Sequence, residues 1–203
     1  QLRRDDSGVV LKDLTVEGSS KRVARNDETG IYGSQMLWSP DGQRYLITRQ
    51  DLNDQTANGF LVGSREGEFL FEVDIAPTVS LDEEDAAFRY DFTPYWSADG
   101  RSILIADSSS LRSYSASTGE RLYLLRSPLY NSVNNIRDFY GRQVLLCKPA
   151  GKSWNTFLLD LATGESTDLL ETTQSVTAKI SPDGSRIVAV ENENASRMYV
   201  INL

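Results

Sequence analysis

Short apolar runs recur along the chain at wide, regular intervals: Tyr45-Leu46-Ile47, Ile103-Leu104-Ile105, Val144-Leu145-Leu146 and Ile187-Val188-Ala189-Val190. None extends into a 3.6-residue apolar period sustained over three turns, so the pattern predicts short strands and little helix. A polar corner precedes each run. Three corners read Trp38-Ser39-Pro40-Asp41-Gly42, Trp96-Ser97-Ala98-Asp99-Gly100 and Ile180-Ser181-Pro182-Asp183-Gly184, and a degraded fourth reads Asp138-Phe139-Tyr140-Gly141. Their glycines are 58, 41 and 43 residues apart. Proline presets φ, aspartate accepts local backbone hydrogen bonds and glycine supplies the left-handed residue, so each corner is expected to close a hairpin. Asp41, Gly42, Asp99, Gly100, Asp183 and Gly184 are thereby assigned as structural turn residues.

A second series of glycines alternates with the first. Gly18, Gly67, Gly119 and Gly164 each lie in a polar turn between two more apolar segments, such as Phe60-Leu61-Val62 and Phe69-Leu70-Phe71. Each unit is therefore four short strands. Such strands separated by Gly/Asp turns build a sandwich, a barrel or a propeller. A sandwich has no reason to repeat one hairpin sequence four times, whereas a radial array of equivalent sheets does. The expected fold is all-β: a β-propeller of four-stranded antiparallel blades forming one domain over residues 1–203. Its units fall near 8–25 (partial), 30–75, 92–126, 131–171 and 175–203 (partial). That count corresponds to four or five blades if the ends join, or to an arc of a larger ring.

The W-S-P-D-G-x-R phrase before an apolar strand, with the Asp160-Leu161-Ala162-Thr163-Gly164-Glu165 turn, resembles the TolB-type, WD-repeat-like bacterial β-propeller repeat over roughly residues 8–203. The resemblance implies the fold and says little about function. Such repeats occur in periplasmic scaffold proteins and in the regulatory propellers of prolyl-oligopeptidase-like peptidases. It also implies that the Ser-Pro-Asp-Gly and Thr-Gly-Glu turns share one end of the blades, with the second-to-third and blade-to-blade loops at the other.

Composition removes several classes of chemistry. The 203 residues include no histidine, so neither a Ser-His-Asp or Cys-His site nor an imidazole zinc site can be built. Carboxylate-only chemistry, as in glycosidases, stays open, but nothing identifies a pair. Cys147 is the one cysteine, sits in an apolar run and reads as core. No GxxxxGK[ST], GxGxxG or GxSxG sequence occurs. No cofactor is expected. The net charge of −8 opposes nucleic-acid binding. No apolar run reaches the roughly 20 residues that span a bilayer, so no direct membrane insertion is expected. The first methionine is Met36, which points to a processed form or a domain of something longer.

Two sets of residues remain as candidates for contact with a partner. Arg44, Arg101, Arg142 and Arg186 follow the corner glycines. They read either as a basic ring or, in preference, as partners of the turn aspartates Asp41, Asp99 and Asp183. The longest insertion, Asp74 to Asp91, carries Asp82-Glu83-Glu84-Asp85 and then Phe88, Tyr90 and Phe92. Three readings of it stand side by side: a solvated loop, a docking loop with aromatic anchors for a cationic partner, and a weak calcium site on Asp82, Glu83, Glu84 and Asp85. Asp51, Asp54, Asp107, Glu191 and Glu193 belong to the same irregular end, with Lys148 and Lys152 interrupting the acidity. Asp51-Leu52-Asn53-Asp54 opens like a calcium loop but lacks its later glycine and glutamate. Trp38 and Trp96 are expected to pack between blades. The function expected is a non-catalytic interaction or scaffold propeller, periplasmic or secreted, that binds another protein or peptide through its loop face or edge. The alternative is the substrate-gating propeller of a larger serine peptidase.

Overall fold

The computed structural model describes residues 2–5, 8–12, 20–25, 31–50, 58–75, 92–107, 110–126, 135–192 and 197–203. They form five antiparallel sheets in which consecutive strands are neighbours. The first sheet holds β1 (Leu2–Asp5), β2 (Gly8–Lys12) and β3 (Ser20–Arg25). The second holds β4 (Ile31–Trp38), β5 (Arg44–Gln50), β6 (Asn58–Ser64) and β7 (Phe69–Ile75). The third holds β8 (Thr93–Trp96), β9 (Ser102–Ala106), β10 (Ser110–Ser115) and β11 (Arg121–Arg126). The fourth holds β12 (Ile136–Tyr140), β13 (Gln143–Ala150), β14 (Ser153–Asp160) and β15 (Ser166–Thr172). The fifth holds β16 (Val176–Ile180), β17 (Arg186–Glu191) and β18 (Met198–Asn202). The fold class is the all-β propeller of repeated antiparallel blades. By contact, residues 1–91 and 92–203 form two compact units.

Two features depart from the sequence reading. The first sheet includes β1, Leu-Arg-Arg-Asp, which has no apolar alternation to announce it. The fourth corner is also not a shortened Ser-x-Asp-Gly turn. Tyr140 pairs with Gln143, so only Gly141 and Arg142 connect β12 to β13. Gly141 has φ +58, and among the described residues no non-glycine residue has positive φ, which suits a tight hairpin with glycine first. Asp138 therefore lies inside a strand rather than in a turn.

The three long corners share one hydrogen-bond set. Ser39, Ser97 and Ser181 each donate their hydroxyl to Asp41, Asp99 and Asp183 at 2.6 Å. The same serine oxygens accept from the amides of Arg44, Ser102 and Arg186 at 2.9–3.0 Å. Each aspartate accepts a further amide two residues on, at 3.0 Å. Serine, which both donates and accepts, ties the two strands across the corner.

Core packing in residues 92–203 follows the period of two along each strand. Counting from the corner glycine, residues three and five on in the fourth and fifth sheets point to the preceding sheet, and residues four and six on in the third and fourth point to the following one. Leu104 and Ala106 of the third sheet thus pack with Val144, Leu146, Phe157 and Leu159 of the fourth. Leu145, Cys147 and Leu158, on the reverse of the fourth sheet, pack with Ile187 and Ala189 of the fifth. All these side chains are buried. Three polar bonds lock the same junctions: Ala98 N to Phe139 O (2.9 Å), Ile180 N to Asp138 Oδ2 (3.0 Å) and Arg137 Nε to Val176 O (2.7 Å).

Gly184 (φ +72) sits where an added Cβ would run into the ring of Tyr140, whereas a Cβ on Gly141 would meet open space. Both Gly→Ala changes carry the left-handed cost of about 1–2 kcal/mol. Gly184→Ala adds displacement of a half-buried ring on the neighbouring sheet, so urea denaturation is expected to show a clearly larger loss there. Equal losses at the two positions would contradict this packing.

Candidate functional site

The end of the blades that carries the corner turns is committed to structure. In three blades its two turns are joined by a backbone bond, Arg65 N to Gln43 O, Ala116 N to Arg101 O and Leu161 N to Arg142 O, and in the fifth sheet Leu203 N bonds Ser185 O of the corner, all 2.8–2.9 Å. The corner aspartates are used up locally. The hydroxyl of Ser39, then the Gln43 amide, holds Asp41 below the usual carboxylate range, and Ser181 with Ser185 brings Asp183 down to about 2. Arg44 lies close enough to Asp41 to contribute. Arg142 pairs with Asp160 of the second turn at 2.8 Å, a partner the sequence pattern did not single out.

Buried charge in residues 92–203 also serves the scaffold. At the β9–β10 connection Arg112, 4% exposed, donates to Asp107 at 3.0 Å and to Ser110 at 3.1 Å, and Ser110 closes the triangle onto Asp107. Asp107 is thus part of an enclosed ion pair, which its place in an acidic end did not suggest. Burial pushes the Asp138 carboxyl up despite the Ile180 amide and Lys179, whose ammonium is 3.7 Å away. Buried Glu191 accepts from the Tyr199 hydroxyl at 2.9 Å. In residues 1–91, Arg49 bridges Glu72 (2.8 Å) and Asp74.

The site with open space lies on the fourth sheet. β13 and β14 run eight residues each, against five and six for β9 and β10. Their hairpin runs past the end of β12, while β15 accompanies it as far as Trp154. Beside it is an open depression of about 390 Å³ lined by Ala150, Ser153, Asn155, Asp168, Leu169, Leu170 and Glu171. Leu169 and Leu170 are half-buried and pack against the core shared with the fifth sheet, while Asp168 and Glu171 are exposed on the opposite face of β15. Asn155 Nδ2 donates to Asp168 Oδ1 at 2.7 Å and fixes that carboxylate. β15 is an outer strand of its sheet, so one line of backbone groups borders the depression. The arrangement offers acceptors. The sequence held no signal for it, because its lining comes from three strands that only pairing brings together.

The acidic candidates Asp82, Glu83, Glu84 and Asp85 and the aromatic candidates Phe88 and Tyr90 fall outside the described residues, as do Asp51, Asp54 and Glu193. Lys148 lies 4.8 Å from the centre of the Phe157 ring, and Lys152 is exposed in the β13–β14 turn. Trp96 is buried. Trp38 is partly exposed and meets Tyr45 edge to face at 5.8 Å. Among the described residues no three Asp, Glu, Cys or His side chains form a metal-binding group, and no helix is long and apolar enough to cross a membrane.

No family model and no curated protein matches the chain. Solved structures do. A Listeria monocytogenes protein of uncharacterised function is similar at a TM-score of 0.60 and 12% identity, over 99% of this chain and 61% of that one. The β-propeller domain of the trilobed protease of Pyrococcus furiosus is similar at 0.55 and 14%, over 99% and 64%. An acylaminoacyl peptidase of Pyrococcus horikoshii is similar at 0.55 and 16%, over 95% and 33%. At these identities the likeness speaks for the fold alone. The chain spans less than two thirds of each of these proteins.

Ser181→Ala is expected to raise the Asp183 pKa from about 2 toward its ordinary value of 3.8, because it removes the largest stabiliser of the ionised form. The sign follows: a lowered folded-state pKa contributes stability present above the unfolded value and lost as pH falls through the folded one. Carboxyl NMR titration reads the shift directly. An unmoved Asp183 would show that the serine is not what holds it.

Proposed function

We propose that the chain is a non-catalytic interaction propeller of the TolB-like kind, which binds a protein or peptide along the depression on the fourth sheet. The observation that carries this reading is the pair of exposed carboxylates, Asp168 and Glu171, on one face of an outer strand beside the depression. An extended segment can add to such an edge through its backbone. A basic side chain of that segment then meets the acids. Carboxylates at an open rim act on the approach and selection of a basic partner more than on total affinity. The depression sits on a blade held rigidly by its neighbours and by its turn end, which suits a surface whose shape must persist. A periplasmic or secreted setting is part of the proposal.

A second reading has one observation in its favour. The similar structures include the propeller of a protease and an acylaminoacyl peptidase of which this chain spans a third. On that reading the chain is a gating domain and the chemistry lies in a separate domain. A downstream α/β-hydrolase sequence in the gene would establish it, and a stop codon at Leu203 would remove it.

For the first reading the probe is a pair of fluorescent peptides of equal length, alternating leucine with arginine or leucine with glutamate. The arginine peptide is expected to bind, with affinity falling as salt is raised. Asp168→Asn with Glu171→Gln is expected to weaken it about tenfold, or 1.4 kcal/mol. Equal anisotropy titrations for the two peptides, or an unchanged double variant, would remove the proposal.

A further inference from the structure

β15 does not keep step with β14. Leu158 opposes Thr167 and Phe157 opposes Asp168, but Thr156 opposes Leu170, so Leu169 is an extra residue in a bulge. On a regular strand side chains change face at every step, and residues three apart point to opposite faces. Asp168 and Glu171 are three apart, yet the bulge returns them to one face. Asp168 stands opposite Phe157 and Glu171 opposite Asn155, two places along β14. Phe157 marks that face as the one turned to the third sheet. Leu169 and Leu170 go to the other face, against the core shared with the fifth sheet. Both carboxylates are exposed beside the depression. At about 3.4 Å per residue, their register positions lie about 7 Å apart along the strand.

The bulge recurs in the second and third sheets, at Leu70 and Leu122, as a shared repeat would have it. The residues that bracket it there are Phe69 with Glu72, and Arg121 with Leu124. Of these three sheets the fourth alone brackets it with two acids. Asp168 is also held by Asn155 Nδ2 at 2.7 Å, so both the sheet and a hydrogen bond fix the spacing of the pair.

We infer that the Leu169 bulge sets the sequence specificity of the peptide surface: the extended segment that adds to β15 carries basic residues at alternate positions, i and i+2. The inference rests on the reading of the depression as a peptide site and goes beyond it by fixing the spacing of the charges. An added strand has the same pleat, so its side chains on the third-sheet side recur every two residues and meet Asp168 and Glu171 together. Basic residues three apart send one side chain to the fifth-sheet side, away from the acids. Arginine suits both positions, because its guanidinium forms short charge-assisted hydrogen bonds to carboxylates.

Three fluorescent peptides of one length, in a threonine background, test the spacing. One carries two arginines at i and i+2, one carries two arginines at i and i+3, and one carries two glutamates at i and i+2. In anisotropy titrations at low salt the alternate-arginine peptide is expected to bind about threefold more tightly than the i, i+3 peptide, the size of one exposed cross-strand ion pair. Asp168→Asn and Glu171→Gln, made singly, are each expected to erase that difference. Equal affinities for the two arginine peptides, both above that of the glutamate peptide, would overturn the spacing rule and leave the peptide-binding reading standing. A glutamate peptide that binds as well as the arginine peptides would overturn both. A preference for alternate arginines that survives loss of either carboxylate would place its origin elsewhere and overturn the inference as well.

Discussion

The middle strands of these blades are apolar on both faces, and that constraint organises everything else. Ile103, Leu104, Ile105 and Ala106 are all buried, as are Val144, Leu145, Leu146 and Cys147. A sheet of this kind cannot leave either side in water. At about 25 cal/mol per Å² of apolar surface, each uncovered face would forfeit several kcal/mol. The fourth blade lies between the third and the fifth, and alternation along the strand decides which residue meets which neighbour. A slip by one residue would exchange the two faces and the side chains sized for each junction.

Polar groups reinforce the same junctions instead of competing with them. Asp138 costs desolvation, visible in its raised pKa, yet its two oxygens accept the amides of Phe139 and Ile180. An apolar residue there would leave the Ile180 amide at the edge of a dry interface without that acceptor. The corners work in the same sense. Because each serine–aspartate pair satisfies its own turn, the exposed end needs nothing from a ligand. The open depression lies instead where β13, β14 and β15 run together near the β13–β14 turn.

Much of the fold was legible because its signals are local. Glycines at positive φ, aspartates that accept nearby amides and four-residue apolar runs are properties of short segments, and the hairpins formed where those residues stood. The misreadings have equally physical causes. β1 lacks apolar alternation and is held by its pairing with β2, which no short window can see. Asp138 looked like a turn residue because it precedes a glycine by three, whereas its role is set by a strand 42 residues away. The depression is lined by three strands whose pairing no short segment announces. Arg112 offered no cue either, since a buried guanidinium is intelligible only with Asp107 and Ser110 around it.

The Arg112–Asp107 pair carries a consequence for the history of the sequence. Removing one partner of an enclosed ion pair typically costs about 3–5 kcal/mol, while exchanging both for well-packed apolar residues is often neutral. The intermediate genotypes are the costly ones, so drift through single steps is blocked. Lineages descended from this chain are expected to keep both residues or to have lost both together, making the pair a marker of ancestry more than of activity.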